Sequence, residues 1–478
     1  MPFAFAPFHY YFIAPIALSV LLLVWLYSST KQAFIQGLLF GFGLFGIGIS
    51  WVYISIHRFG GTDIFLASLI TALFIVVLSL FPALQGYCLA RFYPEKRYTK
   101  VLFAFPASFV LSEWIRSWLF TGFPWLLVGY SQTNSPLKGF LPFIGTYGVS
   151  FLVALSAALL IIVLKHRGKA RYLSIIGLIV LWIAGELCSF IPWTQPYGKP
   201  MTVSIIQGDV PQELKWSPDQ VLPTINHYID LTKPHWKSDL ILWPEAAIPL
   251  LLREAQPVID QLSQQAEKNN TTLILGIPIE QNQKFYNAAI AIGNGSGTYY
   301  KKHLVPFGEY LPLEKLLHGL INFFNLPMSD FIPGPAHQKL ITINNNTNVA
   351  IFICYEVAYA SLVRQDLPDA RILITLSNDA WFGDSFAADQ HFQIAQTRAI
   401  ETGRYMLVST NNGLSGIIAP NGKVINTLPK FKSAVLSATI RKMYGTTRFD
   451  ISGNYPILIG SFFLLIIAFR RKRGDSRK

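Results

Sequence analysis

Charged residues are scarce in this sequence of 478 residues, because Asp, Glu, Lys and Arg together make up only 14% of it. Hydrophobic residues make up 52%, and the mean hydropathy is +0.38. In soluble proteins about a quarter of the residues are charged. The composition therefore excludes a chain that is soluble along its whole length, and it predicts segments that lie in lipid.

Cysteine is scarce too, with only Cys88, Cys188 and Cys354. The sequence has no C-x-x-C pair and no Cys/His spacing typical of a zinc site. We therefore expect neither a disulfide framework nor a metal, and we expect no organic cofactor. The first residues lack a basic n-region, so we expect no cleavable signal peptide.

Long apolar segments dominate residues 1–198. A helix that spans a bilayer needs about 20 residues. Seven segments reach this length, at roughly 10–28, 34–56, 63–90, 101–120, 147–165, 172–193 and 451–469. The sequence therefore predicts a transmembrane domain of about six spans over 1–198, a soluble domain over 199–445, and a seventh span with a basic tail over 446–478.

The net charge of +13 is concentrated in short basic runs beside apolar segments, namely 95–100, 166–171 and 470–478. Basic loops next to membrane spans face the cytoplasm. We therefore interpret these runs as cytoplasmic loops and a cytoplasmic tail, and we expect no nucleic-acid partner. The same rule places residues 199–445 on the opposite side of the membrane and leaves the N-terminus outside.

Two features of the apolar part have competing interpretations. The stretch G-F-G-L-F-G at 41–46 superficially matches a dinucleotide-binding loop, but it follows no strand, so we expect closely packed membrane helices. Glu113 and Arg116 indicate either an internal ion pair or an interfacial helix end on the one hand, or a contact with a lipid headgroup on the other. The turn-rich stretch 121–132 is typical of an interfacial or re-entrant element.

Residues 199–445 alternate between strand-like and helix-like patterns. Helical patterns occur at 253–268 and 386–403. The strand-like runs are Thr202–Gln207, Leu240–Trp243, Thr272–Ile277, Val349–Cys354, Ile372–Leu376 and Tyr405–Ser409. This alternation indicates an α/β or layered α-β fold.

Three ionisable groups lie at the edges of apolar elements in this region. Cys354 ends a β-branched strand, Glu245 follows another strand after a proline, and Lys301 lies in the segment Tyr299–Pro312, which also carries Glu309. A carboxylate can take the proton of a thiol, and a lysine can stabilise the oxyanion that forms when the thiol attacks a carbonyl. Together they predict acyl transfer through a thioester.

Each residue also has an ordinary structural interpretation. Cys354 could be a small hydrophobic residue of the core. Glu245 could cap a helix, and Lys301 could be a solvated surface charge. These residue patterns alone leave the two interpretations about equally supported.

Longer motifs surround these residues. They are W-P-E at 243–245, Y-x-K-x-H-L-x-P-F-G-E at 299–309, C-Y-E at 354–356, S-N-D-A-W-F-G at 377–383 and Q-H-F-Q-I-A-Q-T-R at 390–398. This set resembles the nitrilase, or carbon–nitrogen hydrolase, superfamily. The stretches 41–56, 121–132 and 207–216 resemble the apolipoprotein N-acyltransferase family of Gram-negative bacteria.

The resemblance implies a polytopic α-helical membrane domain plus an extracytoplasmic αββα sandwich on the periplasmic side of the inner membrane. It implies that Glu245 is the general base, Lys301 the oxyanion-stabilising lysine and Cys354 the nucleophile. It also implies supporting roles for Glu309, Tyr355 and Glu356, and substrate-binding or lid roles for Trp216, Asn287, Trp381 and Phe382.

The implied reaction transfers an acyl chain from a membrane phospholipid, phosphatidylethanolamine, to the α-amino group of the diacylglyceryl-cysteine that begins an apolipoprotein. The implied partners are therefore these two substrates and the lipid bilayer. The family has eight spans and a cytoplasmic N-terminus, whereas the count here is seven. A membrane-tethered amidohydrolase and a transporter or scaffold with an inert soluble domain are the alternatives.

Overall fold

Apolar helices form most of the first 190 residues. The computed structural model describes residues 1–93, 98–310, 331–344 and 346–474. Residues 95–97 of the predicted basic loop and residues 475–478 of the predicted basic tail lie outside these ranges. The chain forms two units, one of Met1–Tyr53, Phe65–Pro192 and Thr447–Lys478, and the other of Ile54–Ile64 and Trp193–Thr446.

The first unit is helical. Its helices are α1 (Ile13–Trp25), α2 (Thr30–Gly48), α3 (Ile64–Phe92), α4 (Phe105–Arg116), α5 (Leu141–Lys165) and α6 (Lys169–Cys188). Among the described residues, three helical stretches are long and apolar enough to cross a membrane: Ile64–Phe92, Pro136–Lys165 and Lys169–Cys188. A fourth is added if α2 and Val52–Phe59, which are bent by 60° at their junction, form one span. The count of seven spans stays a prediction.

Small residues bring α2 and α3 together. A Cβ at Gly37 would collide with the carbonyl oxygen of Pro82, and one at Gly41 would lie 2.6 Å from the Cα of Ser79. Glycine is therefore required for this close approach. The glycine-rich stretch packs helices together, as the sequence predicts.

Glu113 and Arg116 are both buried in the first unit. The Glu113 carboxylate accepts a hydrogen bond from the Val128 N–H at 2.7 Å. The Arg116 guanidinium donates to the carbonyl oxygens of Phe123 at 2.8 Å and Trp125 at 2.6 Å. Both side chains hold the non-helical segment around residues 121–128, which supports an internal role and not contact with a lipid headgroup.

The second unit contains two sheets of six strands. The first sheet has the order β12-β1-β2-β3-β4-β5, and β1, β2 and β3 are parallel to one another. Its strands are β1 (Thr194–Gln207), β2 (Leu240–Leu242), β3 (Thr272–Gln281), β4 (Lys284–Gly293), β5 (Thr298–Tyr300) and β12 (Ala434–Gly445). Helices α7 (Pro218–Thr232) and α8 (Leu252–Lys268) connect its parallel strands.

The second sheet has the order β11-β10-β9-β8-β7-β6, and β7, β8 and β9 are parallel. Its strands are β6 (Ile341–Ile343), β7 (Thr347–Ile353), β8 (Ile372–Ser377), β9 (Met406–Thr410), β10 (Gly416–Ile418) and β11 (Val424–Thr427). Helices α9 (Ala360–Gln365) and α10 (Ala387–Thr402) connect its parallel strands. The chain then returns to the first unit with α11 (Arg448–Ser452) and α12 (Tyr455–Gly474).

Side-chain alternation builds the core of the second unit. In β7, Val349, Ile351 and Ile353 pack with residues of β1, β2 and β8 in one buried cluster. The intervening residues of the first sheet, such as Ile241 and Leu273, belong to a second cluster with α7 and α8. The intervening residues of the second sheet, such as Ala350 and Phe352, are buried as well, so each sheet has two buried faces, as in an αββα sandwich.

Residues Ile54–Ile64 belong to the second unit, although in sequence they lie between α2 and α3. The predicted span 34–56 therefore contains a break, and its last residues belong to the second unit. The helix α2 ends at Gly48, and the chain bends before Val52–Phe59.

Candidate active site

Glu245 lies three residues beyond β2 and is buried. Strand pairing extends past β2, because the Trp243 N–H donates to the Ile274 carbonyl at 2.9 Å. The chain then turns sharply, with Ala246 at a φ of 46°. A Cβ at Gly276 would lie 2.7 Å from the Glu245 Cα, so glycine in β3 is needed for this turn to fit. The first sheet thus fixes the backbone of Glu245.

Lys301 follows β5 directly, and its side chain is only 1% exposed. The Nζ lies 2.9 Å from Glu309 and 3.4 Å from Glu245 Oε1. The Asn287 amide donates to both carboxylates, at 2.7 Å in each case. The structure therefore brings Glu245, Lys301, Glu309 and Asn287 into one buried cluster, which we call the charge cluster.

The charge cluster keeps its lysine protonated. Burial lowers the pKa of Lys301, but the carboxylates of Glu309 and Glu245 more than offset this and raise it above its usual value. Glu309 is held in turn by the Val305 N–H, which donates to Oε2 at 2.8 Å. A fixed ammonium group is therefore available in a buried site.

Cys354 lies immediately after β7, where it begins the 3-10 turn Cys354–Ala358. Its φ of 55° is in the left-handed region, which a non-glycine residue adopts at a cost of about 1–3 kcal/mol. The thiol is partly buried against the core cluster. A strand that ends in a strained turn therefore positions this cysteine.

The thiol is neutral at rest. Desolvation by burial and the nearby Glu245 carboxylate raise the pKa of Cys354 above its usual value. Lys301 and a hydrogen bond with Ser377 offset this only in part. Because the thiolate is not preformed, attack on a carbonyl requires a base that takes the proton during the reaction.

Glu356 links the two sheets. Its carboxylate accepts from the Tyr299 hydroxyl at 3.0 Å, from the Ile353 N–H at 2.7 Å and from the Lys302 N–H at 2.7 Å. Burial raises the pKa of Glu356 to about 7, although these backbone donors lower it. Tyr355 is buried beside it, with its ring 5.2 Å from that of Tyr359.

The predicted aromatic residues lie in two separate contact groups. Trp216 packs with Leu304 and Phe331. Trp381 and Phe382 lie on the 3-10 turn Asp379–Phe382, and the Trp381 ring makes an edge contact with Phe59 at 5.4 Å. The second group therefore includes part of the Ile54–Ile64 segment.

Arg58 of the same segment forms an exposed ion pair with Glu213 at 2.6 Å. Glu213 lies three residues before Trp216 in the same loop. The sequence patterns did not predict this contribution, because Arg58 and Phe59 lie in the short connection between the predicted spans 34–56 and 63–90.

Lys215 is a further buried lysine near Glu245 that the sequence patterns did not identify. Its side chain is 1% exposed, and its Nζ donates to the backbone carbonyl of Glu245 at 3.1 Å. Burial lowers the pKa of Lys215 to about 8, although Glu245 raises it. The Trp216 loop is thereby bonded to the chain at Glu245.

His391 and Asp379 were also missed, although both lie inside quoted motifs. The His391 Nε2 lies 3.0 Å from the Cys354 carbonyl oxygen, and Nδ1 lies 3.0 Å from Asp379 Oδ1. The Ser377 hydroxyl donates to the same carboxylate oxygen at 2.9 Å. The helix that carries His391 holds other buried polar residues, such as Gln390 and Gln393, so its pattern did not single out His391.

The site therefore combines a neutral thiol, a carboxylate that can accept its proton, and a fixed ammonium group. Such a set can add a thiol to a carbonyl and stabilise the resulting oxyanion.

Two protein families match the sequence. The family described as Apolipoprotein N-acyltransferase N-terminal domain matches residues 1–159. The family described as Carbon-nitrogen hydrolase matches residues 202–449, which include both sheets. Together they cover most of the chain, and they agree with a helical first part followed by a sandwich domain.

Curated relatives extend over the whole chain. The apolipoprotein N-acyltransferase of Coxiella burnetii is 42% identical over 473 residues, covering 98% of this chain and 97% of the relative. Proteins of the same name from Methylococcus capsulatus and Pseudomonas aeruginosa are each 40% identical, covering 100% of this chain and 95% of each relative.

Proposed function

This chain belongs to the apolipoprotein N-acyltransferase family, and from that premise we propose that it acylates the N-terminal cysteine of lipoproteins through a thioester on Cys354. It is an acyltransferase with a carbon–nitrogen hydrolase domain and apolar membrane helices. The acyl donor is a membrane phospholipid, phosphatidylethanolamine, and the acceptor is a lipoprotein that already carries a diacylglyceryl group.

The observation that carries the proposal is the position of Lys301 between Glu245 and Glu309, at 3.4 Å and 2.9 Å. The Glu245 carboxylate also raises the pKa of the Cys354 thiol, and the Lys301 ammonium group lowers it. One carboxylate and one ammonium group therefore both interact electrostatically with the same sulfur. This is the arrangement that a thiol needs in order to attack an ester.

In the first half-reaction the Cys354 Sγ attacks the acyl carbonyl of the phospholipid, and Glu245 accepts the thiol proton. The Lys301 ammonium group and the Tyr355 N–H stabilise the oxyanion. The tetrahedral intermediate then collapses, the bond to the glycerol oxygen breaks, and that oxygen takes the proton from Glu245. The products are a lysophospholipid and an acyl-enzyme thioester.

In the second half-reaction the neutral α-amino group of the diacylglyceryl-cysteine attacks the thioester. Glu245 accepts a proton from the nitrogen, and the C–S bond breaks when the second oxyanion collapses. The sulfur recovers its proton, and the product is an amide. Because water competes for the thioester, aromatic residues such as Trp216, Trp381 and Phe382 would have to exclude it.

The proposal also includes location. A chain of this family with a basic C-terminal tail would lie in the bacterial inner membrane with its sandwich domain on the periplasmic side. Fusions of a periplasm-active reporter and a cytoplasm-active reporter to the C-terminus, compared in intact cells, test this orientation.

The test of the chemistry uses purified full-length protein in vesicles with phosphatidylethanolamine that carries a labelled acyl chain. Wild type is expected to acquire a label that hydroxylamine removes. A diacylglyceryl-cysteine peptide added afterwards should take up the label as a hydroxylamine-resistant amide.

The chain offers a matched control, because it has two other cysteines, Cys88 and Cys188. The double variant Cys88→Ala/Cys188→Ala should be labelled like wild type, whereas Cys354→Ala should acquire no label. Label on Cys354→Ala would overturn the proposal. Release of ammonia from small amides without labelling would support an amidohydrolase instead.

A further inference from the structure

His391 lies on α10, and both of its ring nitrogens face hydrogen-bond acceptors. Nε2 lies 3.0 Å from the Cys354 carbonyl oxygen, and Nδ1 lies 3.0 Å from Asp379 Oδ1. A carbonyl oxygen accepts and does not donate, and an ionised carboxylate does the same. Both nitrogens can donate only if the ring is doubly protonated, so the geometry favours an imidazolium cation.

The surroundings of His391 support this charge state. Burial lowers the pKa of His391, but Asp379, together with the bond to Cys354 and the Glu245 carboxylate, raises it above its usual value. The elements packed against α10 also carry Cys354, Tyr355, Glu356, Arg364 and Asp379. Of these, Asp379 is bonded directly to the ring.

Asp379 is itself held in place. The Ser377 hydroxyl donates to its Oδ1 at 2.9 Å. A Cβ at Gly413 would collide with Asp379 Oδ2, so glycine at that position leaves room for the carboxylate. The Ser377, Asp379 and His391 side chains therefore form a connected chain that ends on the backbone of the nucleophile.

The carbonyl that His391 contacts belongs to the same peptide group as the Tyr355 N–H. A cation bonded to the oxygen of a peptide group polarises that group and makes its N–H a stronger donor. The same bond restrains the Cys354 carbonyl, and Cys354 has the left-handed φ of 55°.

We propose that His391 is a positioning residue, held as an imidazolium by Asp379, which strengthens the Tyr355 N–H toward the oxyanion and keeps Cys354 in its reactive conformation. This inference rests on the proposed thioester chemistry. The role of His391 is exerted through the peptide group, so the expected effect is smaller than that of removing an oxyanion donor.

The experiment measures the rate of acyl-enzyme formation on the purified full chain in vesicles, with two acyl donors. One donor is phosphatidylethanolamine, and the other is p-nitrophenyl palmitate, which needs no headgroup recognition. The variants are His391→Gln, which keeps a neutral donor, and Asp379→Asn, which removes the carboxylate. His227→Gln is the matched control, because His227 also contacts a backbone carbonyl, that of Gly208, at 2.9 Å.

His391→Gln is expected to slow acylation about tenfold with both donors and to leave the KM for the donor unchanged. In Asp379→Asn the pKa of His391 falls to or below its ordinary value of about 6.5. Acylation by this variant should therefore decline as the pH rises from about 6 to about 8, while wild type keeps its rate over that range. His227→Gln should follow wild type.

Infrared spectroscopy of the acyl-enzyme formed with carbonyl-labelled palmitate gives a second measurement. Stronger hydrogen bonding lowers the stretching frequency of the thioester carbonyl. The band should therefore shift to higher frequency in His391→Gln, and this shift is independent of how much protein folds.

Wild-type rates and an unshifted band in His391→Gln, or parallel pH profiles for Asp379→Asn and wild type, would overturn the inference. A lowered thermal midpoint with an unchanged rate per folded molecule would do the same, because it would assign His391 a purely structural role. If phosphatidylethanolamine fails to acylate wild type but the p-nitrophenyl ester succeeds, the proposed donor is wrong while His391 is still tested.

Discussion

The two sheets of the sandwich have the same order of strand pairings, but they present different groups to the site. In each sheet three parallel strands are flanked by antiparallel ones. The first sheet supplies Glu245, Asn287 and Lys301, which are bonded to one another through their side chains. The second supplies Asp379 and His391, whose side chains are bonded to each other, and Cys354, which His391 contacts only at its backbone carbonyl.

This difference follows from the chemistry each half would perform. Groups that hold charge and exchange protons need direct side-chain contact, since electrostatic effects decline with distance. A nucleophile needs its backbone fixed, because its sulfur must reach the carbonyl in one orientation. Glu356 joins the halves by accepting from Tyr299 of the first sheet and from Ile353 of the second.

The largest effect is expected from breaking the charge cluster at its centre. Lys301→Met leaves two buried carboxylates without a counter-charge and removes the cation that would stabilise the oxyanion. Acyl-enzyme formation should fall about 10³-fold, and the free energy of unfolding should fall by about 3 kcal/mol. Rapid-quench labelling with phospholipid measures the rate, and thermal melting measures the stability.

Lys302→Met is the matched control for this variant. The adjacent Lys302 lies 3.8 Å from Asp366, away from the charge cluster, so acylation should be close to that of wild type. A Lys301→Met rate within tenfold of wild type would contradict the role assigned to the first sheet.

A smaller loss is expected at Asn287, which donates to both carboxylates of the charge cluster. Asn287→Ala leaves each carboxylate with one donor fewer, so Glu245 is held less firmly, and acylation should slow about 30-fold. Asn294→Ala is the control: Asn294 follows the last residue of β4, and its loss should leave the acylation rate unchanged. Equal rates for the two variants would show that Asn287 does not orient the base.

Lys215 gives a pH-dependent test of the first sheet. Burial lowers the pKa of Lys215 to about 8, whereas its unfolded value is about 10.4. Between these pH values the unfolded chain holds a proton that the folded protein has lost. The free energy of unfolding therefore rises as the pH increases from about 8, and this gain is lost as the pH falls back toward 8. The full change corresponds to about 3 kcal/mol.

The measurement compares the thermal midpoints of wild type and Lys215→Met between about pH 7 and pH 10. The thermal midpoint of wild type should rise by several degrees relative to that of the variant as the pH rises. All other titrating groups are common to both proteins, so their effects cancel in this difference. Lys237→Met, at an exposed position, should show a constant difference from wild type. A constant difference for Lys215→Met as well would exclude a buried titrating lysine.

The smallest effect is expected at the aromatic turn of the second sheet. Trp381→Ala removes the ring that contacts Phe59, and water should then reach the thioester more readily. The ratio of free fatty acid to N-acylated peptide should rise about threefold, with acylation itself little changed. Trp381→Phe should keep the wild-type ratio, and an unchanged ratio in Trp381→Ala would exclude the turn as a barrier to water.

The sequence determined the strands that carry the site, because short, apolar, β-branched runs favour a strand in a sheet core. The predicted runs at Leu240–Trp243, Val349–Cys354 and Ile372–Leu376 correspond to β2, β7 and β8. Their ends identified Glu245 and Cys354 as candidates, the segment after Tyr299 added Lys301, and the motif resemblance gave Glu309 a supporting role. The site roles of these residues stay predictions.

Only the tertiary structure decided which polar groups meet. Asn287 and Glu245 are 42 residues apart, and His391 and Cys354 are 37 apart. Their contacts follow from strand register and helix packing, so no local pattern in the amino-acid sequence predicts them. The same holds for Lys215 and for Ile54–Ile64, which the apolar pattern divided between two predicted membrane spans and their short connection. Hydrophobic periodicity fixes which face of an element is buried, whereas the partner that each buried polar group finds depends on how distant elements pack.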